Sequence, residues 1–327
     1  MKLASLKRGG RDGTLVVVDR DMQVAVTVTD IAPTLQMALD HWHEAAPRLA
    51  AVSAALAAGQ CAQAFAFHAH DAASPLPRSF QFLDGSVYLY HMEKTRRARS
   101  AEMPANYRTE PLMYQGLSDG FLGPCDTSRW SSEELEIDYE AELAIVTDDV
   151  PMGVSESEAA QHIKLLMLLN DWTARALTRS ELPKGFGFVQ SKPASAFSPV
   201  ALTIDELGPA WDGGKLSLPL RASVNGRLIG KPNAGHDMFF SFPQLIVHAA
   251  RTRALGAGTI IGGGAVSNRD PNTGHGCLAE VRVDEQLAHG EARTPWLRFG
   301  DVVRIEMCDE RGVSLFGAIE QQVAQAR

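Results

Sequence analysis

Residues 136–146 read Glu136-Ile137-Asp138-Tyr139-Glu140-Ala141-Glu142-Leu143-Ala144-Ile145-Val146. Acids alternate with other residues, which is the period of a β-strand. Alternate side chains on a strand share a face and stand about 6 to 7 Å apart. Ionised carboxylates so placed repel one another, yet the stretch runs on into apolar residues 143–146, which belong in a core. A hard divalent cation makes such a cluster favourable, because Mg²⁺ or Ca²⁺ takes carboxylate oxygens. A solvated acidic face beside a loop is the alternative that this stretch alone leaves open.

The surrounding chain has 327 residues, enough for two domains or one large core with an appended module. Apolar residues make up 45% and charged residues 21%, an ordinary globular balance. The formal net charge of −8 argues against nucleic acid or an anionic membrane as partner. Cys61, Cys125, Cys277 and Cys308 are scattered without CxxC or Cys/His spacing, so neither a zinc site nor a disulfide framework is expected. No apolar window approaches the length of a membrane span or a signal peptide. A cytoplasmic location is the expectation.

Residues 1–75 read as a small accessory module, with strands at 14–18 and 24–28 and a helical segment over 34–58. The connector Ala73-Ser74-Pro75-Leu76-Pro77-Arg78 closes it, and the main domain is expected over 76–327. That domain reads as strand-rich. Residues 216–224 meet 228–229 across Asn225-Gly226, a two-residue hairpin signal. A second hairpin is expected to join 302–307 to 313–316. Helices are expected after Ser155, which forms a capping-box pattern with Glu158, and over 242–255. The run 163–169 is too evenly apolar for periodicity to separate a buried strand from a core helix.

Two further acids stand out. Asp171, in Asn170-Asp171-Trp172, closes that apolar run at the rim of a core, where an unpaired carboxylate is costly. Capping a helix or pairing with Arg175 would account for it. Asp84, in Leu83-Asp84-Gly85-Ser86, taken alone is a turn acid.

In chain order these segments resemble the metal centre of the fumarylacetoacetate hydrolase family. That family carries an Asp, then a Glu-x-Glu strand, then an Asn-Asp-(Trp)-(Ser/Thr)-Ala-Arg segment. This chain has Asp84…His91, Asp138-Tyr139-Glu140-Ala141-Glu142-Leu143 and Leu169-Asn170-Asp171-Trp172-Thr173-Ala174-Arg175, and the likeness covers residues 76 to 318. The resemblance implies Asp84, Glu140, Glu142 and Asp171 as metal ligands. An all-carboxylate shell favours Mg²⁺, Mn²⁺ or Ca²⁺ over zinc. It implies His91 as the base that activates water, a task suited to an imidazole that is neutral near pH 7; taken alone, one of ten histidines is more often structural. Lys192 matches the lysine that stabilises negative charge on the substrate. Tyr114, Arg175 and Ser195 are the implied substrate contacts, with Arg175 alternatively offsetting Asp171. Arg96 or Arg99 is a candidate for a second substrate carboxylate.

One departure is visible. The family's Glu that supports the His is expected in a Gly-Thr-Ile-Ser-Gly-Pro-Glu context, and here Gly258-Thr259-Ile260-Ile261-Gly262-Gly263-Gly264 puts Gly264 in its place. Glu93 and Glu102 are the substitutes considered.

The resemblance implies an α+β, mainly β fold, a mixed β-sandwich roll of the fumarylacetoacetase type with a small N-terminal accessory domain, assembled as a homodimer. It implies metal-dependent hydrolysis of a carbon–carbon bond in a 1,3-diketo acid, with fumarylacetoacetate, from aromatic catabolism, as the expected substrate. The alternatives are acylpyruvate hydrolysis, oxaloacetate decarboxylation, isomerisation or sugar-acid dehydration at the same site. A lapsed enzyme acting as a scaffold is the remaining reading, and it gives no physical reason for a carboxylate cluster.

Overall fold

The computed structural model describes residues 1–98 and 101–326. The apolar run before Asn170 is the strand Ile163–Asn170, buried along almost its whole length. Cover on both faces is why its sequence shows no amphipathic period. It lies inside a mixed sheet of eleven strands. In spatial order the path is Phe65–Ala66, Val24–Thr27, Thr14–Val18, Lys2–Leu6, Ala201–Thr203, Ile163–Asn170, Ala141–Thr147, Ile260–Gly262, Phe82–Gly85 and Met113–Gln115, with Ala196–Phe197 pairing off Ile163–Asn170. A second sheet orders Arg227–Gly230, Leu220–Val224, Val302–Met307, Ile319–Gln325 and Ser128–Trp130. The architecture is α+β and mainly β.

The two sheets share one core. Leu143, Ile145, Leu166 and Leu168 of the larger pack with Leu220, Val303, Ile305 and Ile319 of the smaller. The opposite face of the larger sheet presents Leu165, Met167 and Leu169 to Leu35, Leu39 and Leu49 of the helices Leu35–Asp40 and Trp42–Ala57. Residues 1–75 share this sheet with the rest of the chain. Their four strands extend the larger sheet through Lys2–Leu6, which pairs antiparallel with Ala201–Thr203.

The Asn225-Gly226 hairpin forms as expected, with both residues at positive φ as a tight turn with strand twist requires. The capping box at Ser155 and Glu158 also forms. Four expectations are corrected. The partner of Val302–Met307 is Ile319–Gln325, while 313–316 contributes one isolated bridge, Cys308 to Ser314. The helix expected over 242–255 is Phe242–Ala249. The 34–58 helix breaks at His41, and Thr34 caps its first piece. Finally, the acidic stretch is not one strand. Ile137–Asp138 pairs with Thr173–Ala174, the chain turns through Tyr139-Glu140, and Ala141–Thr147 enters the larger sheet. Glu136 sits just before it at φ 56°.

Candidate metal centre

Register in the larger sheet brings together acids that are distant in sequence. Gly262 pairs with both Asp84 and Ala144, Glu142 stands opposite Leu169, and Asp171 follows the end of its strand. Gly262 has no side chain for a packing reason: a Cβ there would meet Asp84 Oδ1 at 2.3 Å. One carboxylate oxygen from each of Asp84, Glu142 and Asp171 falls within 4.8 Å of the other two, and all three residues are buried. The Gly264 N–H donates to Asp84 Oδ1 at 3.2 Å and to Glu142 Oε2 at 3.0 Å, which aims both groups inward.

Burial, then the neighbouring Asp171, pushes the Asp84 carboxyl well above its ordinary range. Burial, then Asp84 and Asp171, does the same to Glu142. Such carboxylates call for a counter-charge. The residues fit a hard cation on a separate observation: Glu142 Oε1 is buried with no hydrogen-bond partner among the described residues. An acceptor that is orphaned in a dry carboxylate cluster is what a divalent ion satisfies.

The sign of the pH effect follows. A carboxyl whose folded value is raised favours the metal-free fold at low pH, and that stability falls as pH climbs from about 4 toward the raised value. A cation must displace those protons, so its binding tightens with pH. The rise in melting temperature caused by Mn²⁺ is therefore expected to be larger at pH 8 than at pH 6. Equal rises at the two pH values would contradict the shared carboxylate site.

The alternating acids of 136–142 divide their work. Only Glu142 joins the three-carboxylate group. Glu140 takes Arg175 Nη2 on Oε1 at 2.7 Å and Lys192 Nζ on Oε2 at 2.6 Å. Burial alone would raise Glu140, but the Lys192 and Arg175 cations outweigh it and hold the carboxyl well below its usual range. Lys192 also donates to Asp171 Oδ2 and to Thr173 Oγ1. Burial opposes its charge, but Asp171 and Glu140 keep the ammonium protonated. Asp138 accepts from Arg175 Nε at 2.9 Å and from the backbone N–H groups of Leu278 and Ala279, which open the helix Leu278–His289. Glu136 pairs with Arg179 at 2.8 Å.

The implied substrate contacts lie around this network. Tyr114 O–H donates to Asp171 Oδ2 at 2.6 Å, and Ser195 Oγ donates to Asp171 Oδ1 at 2.8 Å. Ser195 is buried beneath the carboxylate, and Arg175 is held by Asp138 and Glu140. Both thus position acids in this structure. Tyr114, Arg175, Lys192 and His91 line a cavity of about 460 Å³ that also reaches Asp84 and Glu140. Arg96 lines it too, whereas Arg99 lies outside the described residues.

His91 stands on the helix Leu89–Ala98, and its Nδ1 is 2.7 Å from Oε1 of Glu280. This corrects the expectation built on Gly264. No side chain fits at 264, where φ is +85° and a Cβ would meet Gly85 O at 2.5 Å. The carboxylate comes instead from Glu280, on the helix that Asp138 anchors. Glu93 pairs with Arg269, and Glu102 accepts from Arg96 through its backbone. Burial would raise Glu280, but hydrogen bonds from His275 and His91 prevail and hold it well below the ordinary range. An ionised carboxylate only accepts, so neutral His91 carries its proton on Nδ1 and presents Nε2 as the base. Sequence spacing held one overlooked signal: Glu280 is an acid at an otherwise apolar helix start, Cys277-Leu278-Ala279-Glu280.

Lys192 is placed by a second acid that the sequence reading did not single out. Glu181 accepts from the N–H groups of Val189, Gln190 and Ser191 and from Ser191 Oγ, fixing the loop just before Lys192. Glu181→Ala leaves these donors without their acceptor. It is expected to destabilise the protein by about 1 to 3 kcal/mol and to lower turnover without changing the Mn²⁺-induced melting shift. Unchanged stability in a denaturant titration would rule this role out.

Comparison with known proteins follows the same division of the chain. Residues 82–324 match the family model described as fumarylacetoacetate (FAA) hydrolase C-terminal, and residues 1–78 match fumarylacetoacetase N-terminal domain 2. The oxaloacetate tautomerase YisK of Bacillus subtilis is 31% identical over 59% of this chain and 60% of its own length. A 2,4-didehydro-3-deoxy-L-rhamnonate hydrolase of a Sphingomonas species is 26% identical, covering 67% of each chain. The fumarylacetoacetase of Arabidopsis thaliana is 26% identical over 58% of this chain and 49% of its own. The chain thus spans about half to two thirds of these relatives. Among solved structures, the fumarylacetoacetate hydrolase of Exiguobacterium antarcticum superposes with a TM-score of 0.67 at 18% identity, over 100% of both chains. Maleylpyruvate hydrolase of Sphingobium, solved with manganese(II) and pyruvate, gives 0.65 at 18% identity over 100% of both chains. Among the described residues no helix is long and apolar enough to cross a membrane.

Proposed function

This chain belongs to the fumarylacetoacetate hydrolase family, and from that premise we propose that it adds water across a carbon–carbon bond of a 1,3-diketo acid in a divalent-metal-dependent reaction. Fumarylacetoacetate is the reference substrate. The observation that carries this reading is one cavity lined both by Asp84, of the buried three-carboxylate group, and by His91, of the His–Glu pair. The manganese in the maleylpyruvate hydrolase of the same fold supports the choice of ion. Asp84, Glu142 and Asp171 would hold the cation, which when bound supplies Lewis-acid polarisation of the substrate's keto oxygens, while Glu140 beside them holds Arg175 and Lys192.

The chain's own residues do the rest. His91 Nε2 takes a proton from water while Glu280 holds the Nδ1–H and stabilises the imidazolium that forms. The hydroxide oxygen bonds to the carbonyl carbon. The adjacent carbon–carbon bond then breaks, and its electron pair stays on the carbon next to the second carbonyl as an enolate, which is finally protonated. Lys192 offers a fixed ammonium to the charge that develops. Tyr114 fixes the Asp171 carboxylate by donating to its Oδ2.

Purified protein with Mn²⁺ is expected to release fumarate from fumarylacetoacetate and to lose that activity in chelator. Turnover that persists undiminished in chelator would overturn the metal role. A second reading has a specific support, the 31% identity to an oxaloacetate tautomerase. There the same base would move a proton between carbon and oxygen instead of activating water. Enol–keto conversion of oxaloacetate without release of fumarate from fumarylacetoacetate would favour it.

A further inference from the structure

Five arginine and lysine side chains line the cavity: Arg96, Arg175, Arg179, Arg282 and Lys192. Three already answer carboxylates. Arg175 holds Asp138 and Glu140, Arg179 holds Glu136, and Lys192 holds Glu140 and Asp171. Arg96 donates to the Glu102 carbonyl. Arg282 likewise answers no acid, but its guanidinium is built into place. Its Nη1 donates to the Thr294 carbonyl, and its guanidinium lies over the Trp296 ring, 4.3 Å from the centroid. That carbonyl is itself fixed. Glu285, one turn further along the helix, accepts from the N–H groups of Arg293 and Thr294 and from Thr294 Oγ1.

The scaffold leaves donors over. Among the described residues Arg282 makes no ion pair, and its Nε and Nη2 have no hydrogen-bond partner. The Trp296 Nε1–H in the same wall is also without one. Glu285 is close enough to feel the Arg282 charge, but its oxygens are occupied by the 293–294 backbone. A stacked, half-buried guanidinium with an open edge is the side chain that matches a carboxylate by two parallel hydrogen bonds. Stacking on an aromatic face also removes the rotamer freedom that such a contact would otherwise have to freeze.

We propose that Arg282, supported by Thr294 and Trp296, is a receiving site for a second anionic group of the substrate, remote from the reacting carbonyls. The protein then selects keto diacids over keto acids that end in an uncharged group. The inference rests on the keto-acid reading of the site.

Binding and turnover test it separately. In the presence of Mn²⁺, wild-type protein is expected to bind 2-oxoadipate about tenfold to a hundredfold more tightly than 2-oxohexanoate, the range for one charge-assisted contact. Arg282→Gln is expected to shrink that ratio to about twofold. The ratio of kcat/KM for 2,4-diketo acids with and without a terminal carboxylate should shrink in parallel, chiefly through KM. A wild-type protein without the preference, or a variant that keeps it, overturns the proposal. Diacid preference present in binding but with no diketo acid cleaved would support this site and count against the hydrolase reading instead. Circular dichroism of Arg282→Gln separates a lost contact from a lost fold.

Discussion

Glu142→Gln is expected to cut turnover steeply and, in the same protein, to raise the melting temperature without metal. Glu142 is fully buried, and burial with Asp84 and Asp171 holds its carboxyl well above the usual range. Ionisation there opposes folding, so removing the charge relieves repulsion in the cluster. Replacing a buried charge with a neutral group of the same shape can stabilise by about 1 kcal/mol or more. The amide oxygen can still accept the Gly264 N–H that Glu142 Oε2 accepts now. The cation loses an anionic oxygen, and kcat/KM should fall by on the order of a thousandfold, about 4 kcal/mol of transition-state stabilisation. The Mn²⁺-induced rise in melting temperature, which linkage requires of any ligand of the native state, should vanish with it. A variant that melts lower than wild type yet still responds to Mn²⁺ would show that these acids serve packing alone.

Glu280→Gln should produce the complementary pattern, with metal binding intact and chemistry lost. Glu280 touches none of the three clustered acids. Its contacts are His91 at 2.7 Å and His275 at 3.3 Å. An amide cannot stabilise an imidazolium as a carboxylate does, and it can donate to Nδ1, which puts the proton on the wrong ring nitrogen. The comparable loss in a Ser-His-Asp triad is about ten-thousandfold. Here a drop of about a hundredfold to ten-thousandfold in kcat is expected, with an unchanged Mn²⁺ melting shift. Wild-type kcat in this variant would remove His91 from the role of base. Equal loss of metal response would mean that the helix Leu278–His289, tied through Asp138, had moved.

What the sequence discloses and what it hides have physical causes. The Asn225-Gly226 turn and the Ser155 capping box are local, and turn and capping chemistry suffice for each. The evenly apolar run 163–169 leaves strand and helix open, and only its pairing in the sheet decides for Ile163–Asn170. The four acids Asp84, Glu140, Glu142 and Asp171 could be singled out through the resemblance of their segments to the family's metal centre. Their division of labour could not. Alternation placed 136–142 on one strand face, whereas the turn at Tyr139-Glu140 sends Glu140 to Lys192 and Arg175 and leaves Glu142 with Asp84 and Asp171. A local period cannot report a break that tertiary pairing imposes. Glu280 was missed for a related reason. The partner of His91 lies 189 residues away, and reading for it near His91 or at Gly264 assumed that a neighbour in space is a neighbour in sequence. Residues 1–75 look detachable because a Pro-bearing connector follows them. Only the pairing of Lys2 and Leu3 with Leu202 and Ala201 shows that they continue the sheet.

The account turns on a cation held between Asp84, Glu142 and Asp171. The most direct measurement is anomalous diffraction from a crystal of the wild-type protein soaked in manganese(II). One peak per chain, lying among those three carboxylates with Glu142 Oε1 turned to it, is the expected result. Density without a peak there, with Lys192 still bonded to Asp171 and Glu140 at saturating manganese, would contradict it.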